Sequence, residues 1–204
     1  MPRLTLVVAA TTTHGIGKSG GLPWRLPKEI SYFARVTTSA PEGNQNSAIM
    51  GRNTWESIPR KFRPLPKRAN VVLTHNAGYQ CADDGRVIIR ADLHSAVEHL
   101  STCPVPIHRH FVIGGASLYS EAFALSATDG SYVDRVLLTR VLAPAFEDCD
   151  TFVSELAQMT EDAAGSWVRK SHLDLCSWVG FDVPEGPQEE KGVRYEFQMW
   201  EKQL

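Results

Sequence analysis

Apolar residues occur along the chain in two patterns, near-continuous runs and spacings of three and four residues. Together these patterns predict alternating strands and helices. The opening segment RLTLVVAA is β-branched and continuously apolar toward its end, which is typical of a strand covered on both faces near the middle of a sheet. LPKEISYFARVT places Ile30, Phe33 and Thr37 on one side of an amphipathic helix that Pro27 opens. The pattern then predicts a strand at AIMG, a short helix at RNTWESI, strands at ANVVLT and RVII, and a helix at DLHSAVEHL capped by Asp92.

After one more strand followed by a helix, the second half of the chain is predicted to consist mainly of strands. RHFVIGG followed by ASLYSEAFAL is a strand, a glycine turn and a helix, which favours parallel strands. After it, VDRVLLTRV, HLDLCSWVG and VRYEFQMWEK are each predicted as strands, with PEGPQEEKG as a polar hairpin loop before the last. We predict an α/β fold, doubly wound around a mostly parallel mixed sheet with flanking helices and an antiparallel C-terminal hairpin, in one domain over residues 1–204.

A glycine-rich stretch, GIGKSGGLPW, contains the letters of a dinucleotide-binding fingerprint. Gly15, Gly17 and Gly20 stand in G-x-G-x-x-G register, but the fingerprint needs a helix that opens at its last glycine. Pro23 follows too soon for such a helix. The letters GKS do not complete a phosphate-binding loop either, because its first glycine would fall at Thr12.

Composition and charge narrow the class of protein. The 204 residues are 43% hydrophobic and 22% charged, which is typical of a globular chain with a well-buried core. A net charge of −2 gives no basic surface for nucleic acid or an anionic membrane, and no segment approaches the roughly 18 apolar residues of a membrane helix. LTLVVAA after Arg3 predicts a strand rather than a secretory signal. The wide, uneven spacing of the four cysteines favours reduced thiols in a cytosolic protein.

Three local features could carry chemistry. Glu29 shares a helix face with Phe33, where a carboxylate is costly to bury, although a rotated helix would leave it solvated. Gly114 and Gly115 end a strand and open a helix, so that their backbone could approach a phosphate closely or simply form a tight turn. In FRPLPKR, Arg63 and Arg68 stand beside a rigid Pro-Leu-Pro element and suit a carboxylate ligand, although a solvated basic loop has the same composition.

Taken in order, the segments closely resemble dihydrofolate reductase. The matching stretches are VVAA with GIGKSGGLPW, LPKEISYF, IMGRNTWESIP, FRPL with NVVLT, FVIGGASLY, LLTRV and EEKGVRYEFQMWEK. They span almost the whole chain, and MG-x-x-T-W-x-S-I-P and V-I-G-G-x-x-x-Y are highly specific to that family. KEISYF, TWESIP and SWVG resemble its fungal members.

The resemblance implies NADPH as cofactor, with phosphates at two helix N-termini, a cis peptide between Gly114 and Gly115, and a mobile lid from Gly15 to Leu22. The implied cofactor-binding residues are Ala9, Ile16, Gly17, Gly20, Gly51, Arg52, Asn53, Thr54, Thr74, His75, Arg90, Gly114, Gly115, Ala116, Ser117, Leu118 and Tyr119. Where many relatives carry an arginine for the 2′-phosphate, this chain has His75, which is only partly charged near neutrality and puts the strength of the NADPH preference in doubt.

The resemblance also implies the substrate, 7,8-dihydrofolate, and its reduction at C6 and N5 to tetrahydrofolate. Glu29 is the implied acid, steadied by Thr139, with a proton route through water near Leu22 and Trp24. Arg68 is implied to bind the carboxylate of the glutamate tail. The other implied substrate contacts are Val7, Val8, Ala9, Ile30, Phe33, Ser57, Ile58, Leu65, Ile113 and Tyr119.

Two rival functions remain at this point: a reductase of another heterocycle on the same fold, and a catalytically silent binding module. Glu29 and Arg68 argue against the first rival, since a substrate without a pterin or glutamate tail needs neither. The complete set of acid, lid and phosphate-binding segments argues against the second. The histidines show no metal-ligand spacing. We expect a monomeric cytoplasmic enzyme that needs no nucleic acid, membrane or metal.

Overall fold

The protein is described by a computed structural model that covers residues 1–81, 85–126, 128–160 and 166–203. The helices are α1 (Pro27–Thr38), α2 (Arg52–Ser57), α3 (Leu93–Ser101), α4 (Ala116–Ala124) and α5 (His172–Val179). The strands are β1 (Arg3–Thr11), β2 (Gly15–Gly17), β3 (Gln45–Gly51), β4 (Arg68–Leu73), β5 (Val87–Arg90), β6 (Ile107–Val112), β7 (Tyr132–Ala143), β8 (Thr151–Phe152), β9 (Trp167–Arg169), β10 (Gln188–Glu190) and β11 (Val193–Lys202).

The described residues divide into two compact units, one formed by residues 1–5 and 37–133 and the other by residues 6–36 and 134–204. Whether the chain folds as one domain stays a prediction.

In the first unit the strands run in the order β6, β3, β4, β5, and all three pairs are parallel. Helix α2 packs against β3, α3 against β5 and α4 against β6. A buried apolar cluster fills the space beneath α2, formed by Ala48, Met50, Trp55, Leu65 and Val72. Asp92 caps α3 as predicted, since its carboxylate accepts a hydrogen bond from the Ser95 backbone N–H at 2.8 Å.

In the second unit the strands run in the order β10, β11, β7, β1, with β11 antiparallel to β10, to β7 and to β9. Strands β2 and β8 form a separate antiparallel pair. The mixed sheet of mostly parallel strands with an antiparallel C-terminal end confirms the predicted fold class.

Three local predictions were wrong. The segment PEGPQEEKG is not entirely a loop, because Gln188–Glu190 form strand β10 and pair with β11. HLDLCSWVG forms helix α5 rather than a strand: Ser171 and Asp174 make a capping box, Gly180 ends the helix in the left-handed region, and the buried Leu175 and Val179 are four residues apart. In α1 the buried face is formed by Glu29, Tyr32 and Val36, whereas Ile30 is 50% exposed.

Candidate active site

Glu29 is the buried carboxyl group of helix α1. Only 8% of the residue is exposed, and the Thr139 hydroxyl on β7 donates a hydrogen bond to its Oε1 at 3.1 Å. Burial raises the pKa of Glu29 to about 7, the Thr139 hydrogen bond opposes this, and the negative charge of Glu190 adds to it. At neutral pH Glu29 is therefore able both to hold and to release a proton.

Trp24 lies just before this helix and is also buried. Its ring meets Phe146 edge to face at a centroid distance of 5.3 Å. Within the described chain its indole N–H has no hydrogen-bond partner, so the donor is available to a bound molecule or a water. Leu22, two residues earlier, is 57% exposed.

The glycine-rich stretch forms a hairpin and not the start of a helix. Lys18 and Gly21 exchange two backbone hydrogen bonds of 2.9 Å, and both Ser19 and Gly20 have positive φ. Strand β2, which contains Ile16 and Gly17, pairs with β8. The residue just before β8 also holds the hairpin, because the Ser19 N–H donates a hydrogen bond to the Asp150 carboxylate at 2.6 Å.

Two helix N-termini meet beside the paired glycines of the first unit. Gly51 opens α2 and Gly115 opens α4, and neither helix has a side-chain cap. The Gly51 N–H donates to the Gly114 carbonyl at 2.8 Å, which fixes the two turns side by side. The peptide between Gly114 and Gly115 is cis, as the resemblance implies. The uncapped N–H groups of both helices suit a phosphate.

A side chain at either of these two glycines would be crowded. A Cβ on Gly115 would stand 3.3 Å from Thr54 Oγ1, and one on Gly114, whose φ is +105°, would stand 3.1 Å from the Tyr119 ring. The first turns of the two helices supply seven more of the predicted cofactor residues: Arg52, Asn53 and Thr54 on α2, and Ala116, Ser117, Leu118 and Tyr119 on α4.

The predicted 2′-phosphate residues lie at neighbouring strand ends. The Thr74 N–H donates to the Arg90 carbonyl at 2.9 Å, which places the end of β4 beside the end of β5. His75 is exposed, whereas the Arg90 guanidinium is held by the His99 ring and by the Ile89 carbonyl. Arg52 lies over the Tyr79 ring at 6.0 Å.

Arg68 opens β4 and is only 9% exposed. Its guanidinium donates to the Thr37 hydroxyl at 2.5 Å and to the Pro66 carbonyl at 3.1 Å. Burial lowers its pKa to about 10, so that it keeps its charge at neutral pH. The nearby loop is rigid, because the Asn70 amide bonds both the N–H and the carbonyl of Leu65 at 2.8 Å.

The remaining predicted contact residues differ in burial. Val7 and Val8 are buried on β1. The half-buried residues are Ala9, Phe33, Ile58 and Ile113. Ser57 is exposed at the end of α2.

Glu190 on β10 is a further residue beside Glu29 that no sequence pattern indicates. Its carboxylate accepts the Lys28 N–H in the first turn of α1, at 3.0 and 3.2 Å. No local pattern signals a contact between residues so far apart in the chain.

Comparison with known proteins agrees with this geometry. The sequence model of the family "Dihydrofolate reductase" matches residues 3–167. Dihydrofolate reductase of Cryptococcus neoformans is 42% identical, with 98% of this chain and 94% of that protein covered. The enzyme of Pneumocystis carinii is 44% identical, with 98% and 97% covered. The solved structure of Schistosoma mansoni dihydrofolate reductase matches with a TM-score of 0.78, 31% identity and 98% of each chain covered.

Proposed function

The chain belongs to the dihydrofolate reductase family, and from that premise we propose that it reduces 7,8-dihydrofolate to 5,6,7,8-tetrahydrofolate with NADPH, with Glu29 as the acid. The enzyme class and the reaction follow from family membership. The assignment of roles to individual residues is the proposal, and the burial of Glu29 carries it.

Glu29 suits the pterin end of the substrate. Its carboxyl group binds the 2-amino group and N3 of the ring, and the hydrogen bond from Thr139 fixes which way the carboxyl points. Since its pKa is near 7, Glu29 is protonated in much of the enzyme at neutral pH. The proton passes toward N5 through a water beside Leu22, where the unpaired Trp24 N–H orients that water.

The family uses a nicotinamide cofactor, and we propose NADPH for this chain. When bound, it supplies the hydride that C6 of the pterin receives. The uncapped N-termini of α2 and α4 would bind its phosphates. Glycine at 114 and 115 leaves the backbone there without a side chain that could obstruct a phosphate. Arg52, Thr74, His75 and Arg90 hold the 2′-phosphate, and Ala9, Ile16, Gly17 and Gly20 border the nicotinamide.

Arg68 binds the carboxylate of the glutamate tail. A planar guanidinium suits a bidentate carboxylate, and its hydrogen bonds to Thr37 and Pro66 pre-organise it. The other residues proposed to contact the substrate are Val7, Val8, Ile30, Phe33, Ser57, Ile58, Leu65, Ile113 and Tyr119.

In the described part of the chain, no helix is long and apolar enough to cross a membrane. The four cysteines, all of them within the described residues, form no disulfide, which suits a reducing compartment. We place the enzyme in the cytoplasm as a monomer whose partner is its small-molecule substrate.

The direct test is the loss of NADPH absorbance with and without dihydrofolate. We expect loss only when dihydrofolate is present, and a slower reaction with NADH in place of NADPH. Oxidation of NADPH at the same rate in both conditions would contradict the assignment.

A further inference from the structure

Glu190 is held at a fixed place by a tight hairpin. It is the last residue of β10 and pairs with Val193 of β11. The two residues between them, Lys191 and Gly192, both have positive φ, at 52° and 77°, which is the backbone of a two-residue type I′ turn. Such a tight turn fixes the backbone at Glu190 and so limits how far its side chain can move.

The carboxylate of Glu190 caps the N-terminus of α1 from another part of the chain. The Leu26 carbonyl accepts the Ile30 N–H at 2.9 Å, so Lys28 lies in the first turn, where backbone N–H groups lack partners within the helix. Both oxygens of Glu190 accept the Lys28 N–H, at 3.0 and 3.2 Å. The Tyr195 hydroxyl donates to the same carboxylate at 3.5 Å. Glu190 thus fixes the turn that carries Glu29.

The same position gives Glu190 an electrostatic effect on Glu29. A carboxyl group in the first turn of a helix is normally favoured in its charged form by the helix dipole. A second carboxylate at that N-terminus acts in the opposite direction, because two like charges repel. Glu190 therefore offsets the tendency of the helix to ionise Glu29.

The other groups that face Glu29 are neutral at neutral pH. Thr139 on β7 donates a hydrogen bond, which favours the charged form. Tyr195 on β11 and Tyr32 on α1 itself both have raised pKa values, Tyr195 to about 12, chiefly through burial. Within the described chain, the charge that raises the pKa of Glu29 is that of Glu190.

We propose that Glu190 is a positioning residue for Glu29: its carboxylate fixes the first turn of α1 and places a negative charge beside the acid. That charge adds to the effect of burial, which is the largest cause of the raised pKa of Glu29. This inference rests on the proposed function, in which Glu29 supplies the proton. It adds a residue whose contribution is made through Glu29 and not through contact with substrate.

Three variants separate charge from structure. Glu190→Gln keeps the shape and an acceptor oxygen but removes the charge. Glu190→Asp keeps the charge but shortens its reach to the Lys28 N–H. Glu189→Gln, on the exposed neighbouring residue of β10, removes one charge from the same hairpin and is the matched control.

The first measurement is a ¹³C NMR titration of the Glu29 carboxyl group in the ligand-free protein, assigned with Glu29→Gln. Glu190→Gln should lower the titration midpoint by about 0.5 to 1 pH unit, the effect of removing one nearby charge in partly hydrated surroundings. Glu190→Asp should leave the midpoint close to that of the wild type even if its melting temperature falls, and Glu189→Gln should leave both unchanged.

The second measurement is the pH profile of dihydrofolate turnover. In Glu190→Gln, kcat should fall at neutral pH and recover as the pH is lowered, while KM for dihydrofolate stays near the wild-type value. A titration midpoint that Glu190→Gln leaves unmoved, or moves no more than Glu189→Gln does, would overturn the inference. So would an equal loss of kcat at every pH, which is the expected result of a purely structural cap.

The two proposals can fail separately. If the wild-type protein does not reduce dihydrofolate, the proposed function fails, but the NMR titration still decides whether Glu190 acts on Glu29. If turnover is present and the titration midpoint does not move, the role of Glu190 fails alone.

Discussion

Burial is the main cause of the raised pKa of Glu29, the residue on which the proposed chemistry depends. The cost of placing a charge in apolar surroundings raises the pKa of Glu29, against the hydrogen bond from Thr139. Sequence analysis found Glu29 because a carboxylate on an apolar helix face is unusual. It could not find Glu190, because a contact between a hairpin and a helix start 162 residues away leaves no local pattern.

Glu29 should also make stability depend on pH. Its folded pKa of about 7 lies above its ordinary value of 4.5, so its contribution is fully present below about pH 4.5 and is lost as pH rises through about 7. The free energy of unfolding of the wild type, relative to Glu29→Gln, should fall by roughly 2 to 3 kcal/mol between about pH 5 and about pH 8. Urea unfolding of both proteins measures this.

The comparison with Glu29→Gln is needed because another buried group titrates with the opposite sign. Burial lowers the pKa of His110 to about 4, so its contribution is present above its ordinary value of 6.5 and is lost as pH falls through about 4. Both proteins contain His110, and its effect cancels. Parallel stability curves for the two proteins would show that Glu29 titrates alike in the folded and unfolded states.

Arg68→Leu should weaken the binding of dihydrofolate more than it slows turnover. The glutamate tail is remote from the reacting carbons, so its ion pair contributes mainly to uniform binding. The loss of one charged hydrogen-bonded pair should raise KM by about 10- to 100-fold and leave kcat within a few-fold.

A dihydropterin without the glutamate tail is the control substrate for this variant. The wild type and Arg68→Leu should use it equally well. If the variant handles it as poorly as it handles dihydrofolate, then Arg68 acts through the fold and not through the tail.

At the scale of elements, most of the helices and strands were predictable because their apolar spacing is local. The error at α5 has a physical reason: Leu173, Leu175 and the residues after them alternate like a strand, yet Leu173 is 79% exposed. The signals of a helix were present as the capping pair Ser171 and Asp174 and the terminal Gly180. Capping chemistry, rather than hydrophobic spacing, distinguishes the two structures here.

The start of α4 has little room for a side chain. In Gly115→Ala the new Cβ stands 3.3 Å from Thr54 Oγ1, a contact that small shifts can relieve, whereas the branched side chain of Gly115→Val cannot be accommodated without moving one of the two helix starts. We expect NADPH binding to weaken moderately in the first variant and to be lost in the second. Titration of protein fluorescence with NADPH measures both.

The melting temperature of each variant serves as the control for this series. A folded Gly115→Val protein that binds NADPH with wild-type affinity would show that the cofactor phosphates lie elsewhere.

For the molecule as a whole, short end strands bear on association. Strand β5, at one end of the order in the first unit, has four residues, and strand β10, at one end of the order in the second unit, has three; strands this short offer little backbone for pairing with another chain. We expect sedimentation equilibrium to give a mass near 22.6 kDa at every protein concentration. A mass that rises toward twice this value with concentration would contradict the expected monomer.

The proposed chemistry depends on one acid, and its test is the pH dependence of dihydrofolate turnover in the wild type and in Glu29→Gln. Removal of a general acid typically costs about 100-fold or more. We predict a loss of that size at neutral pH, a smaller loss at low pH where the substrate arrives already protonated, and a wild-type rate that declines as pH rises above about 7. Undiminished turnover of a folded Glu29→Gln protein at neutral pH would contradict the central claim and place the proton donor elsewhere.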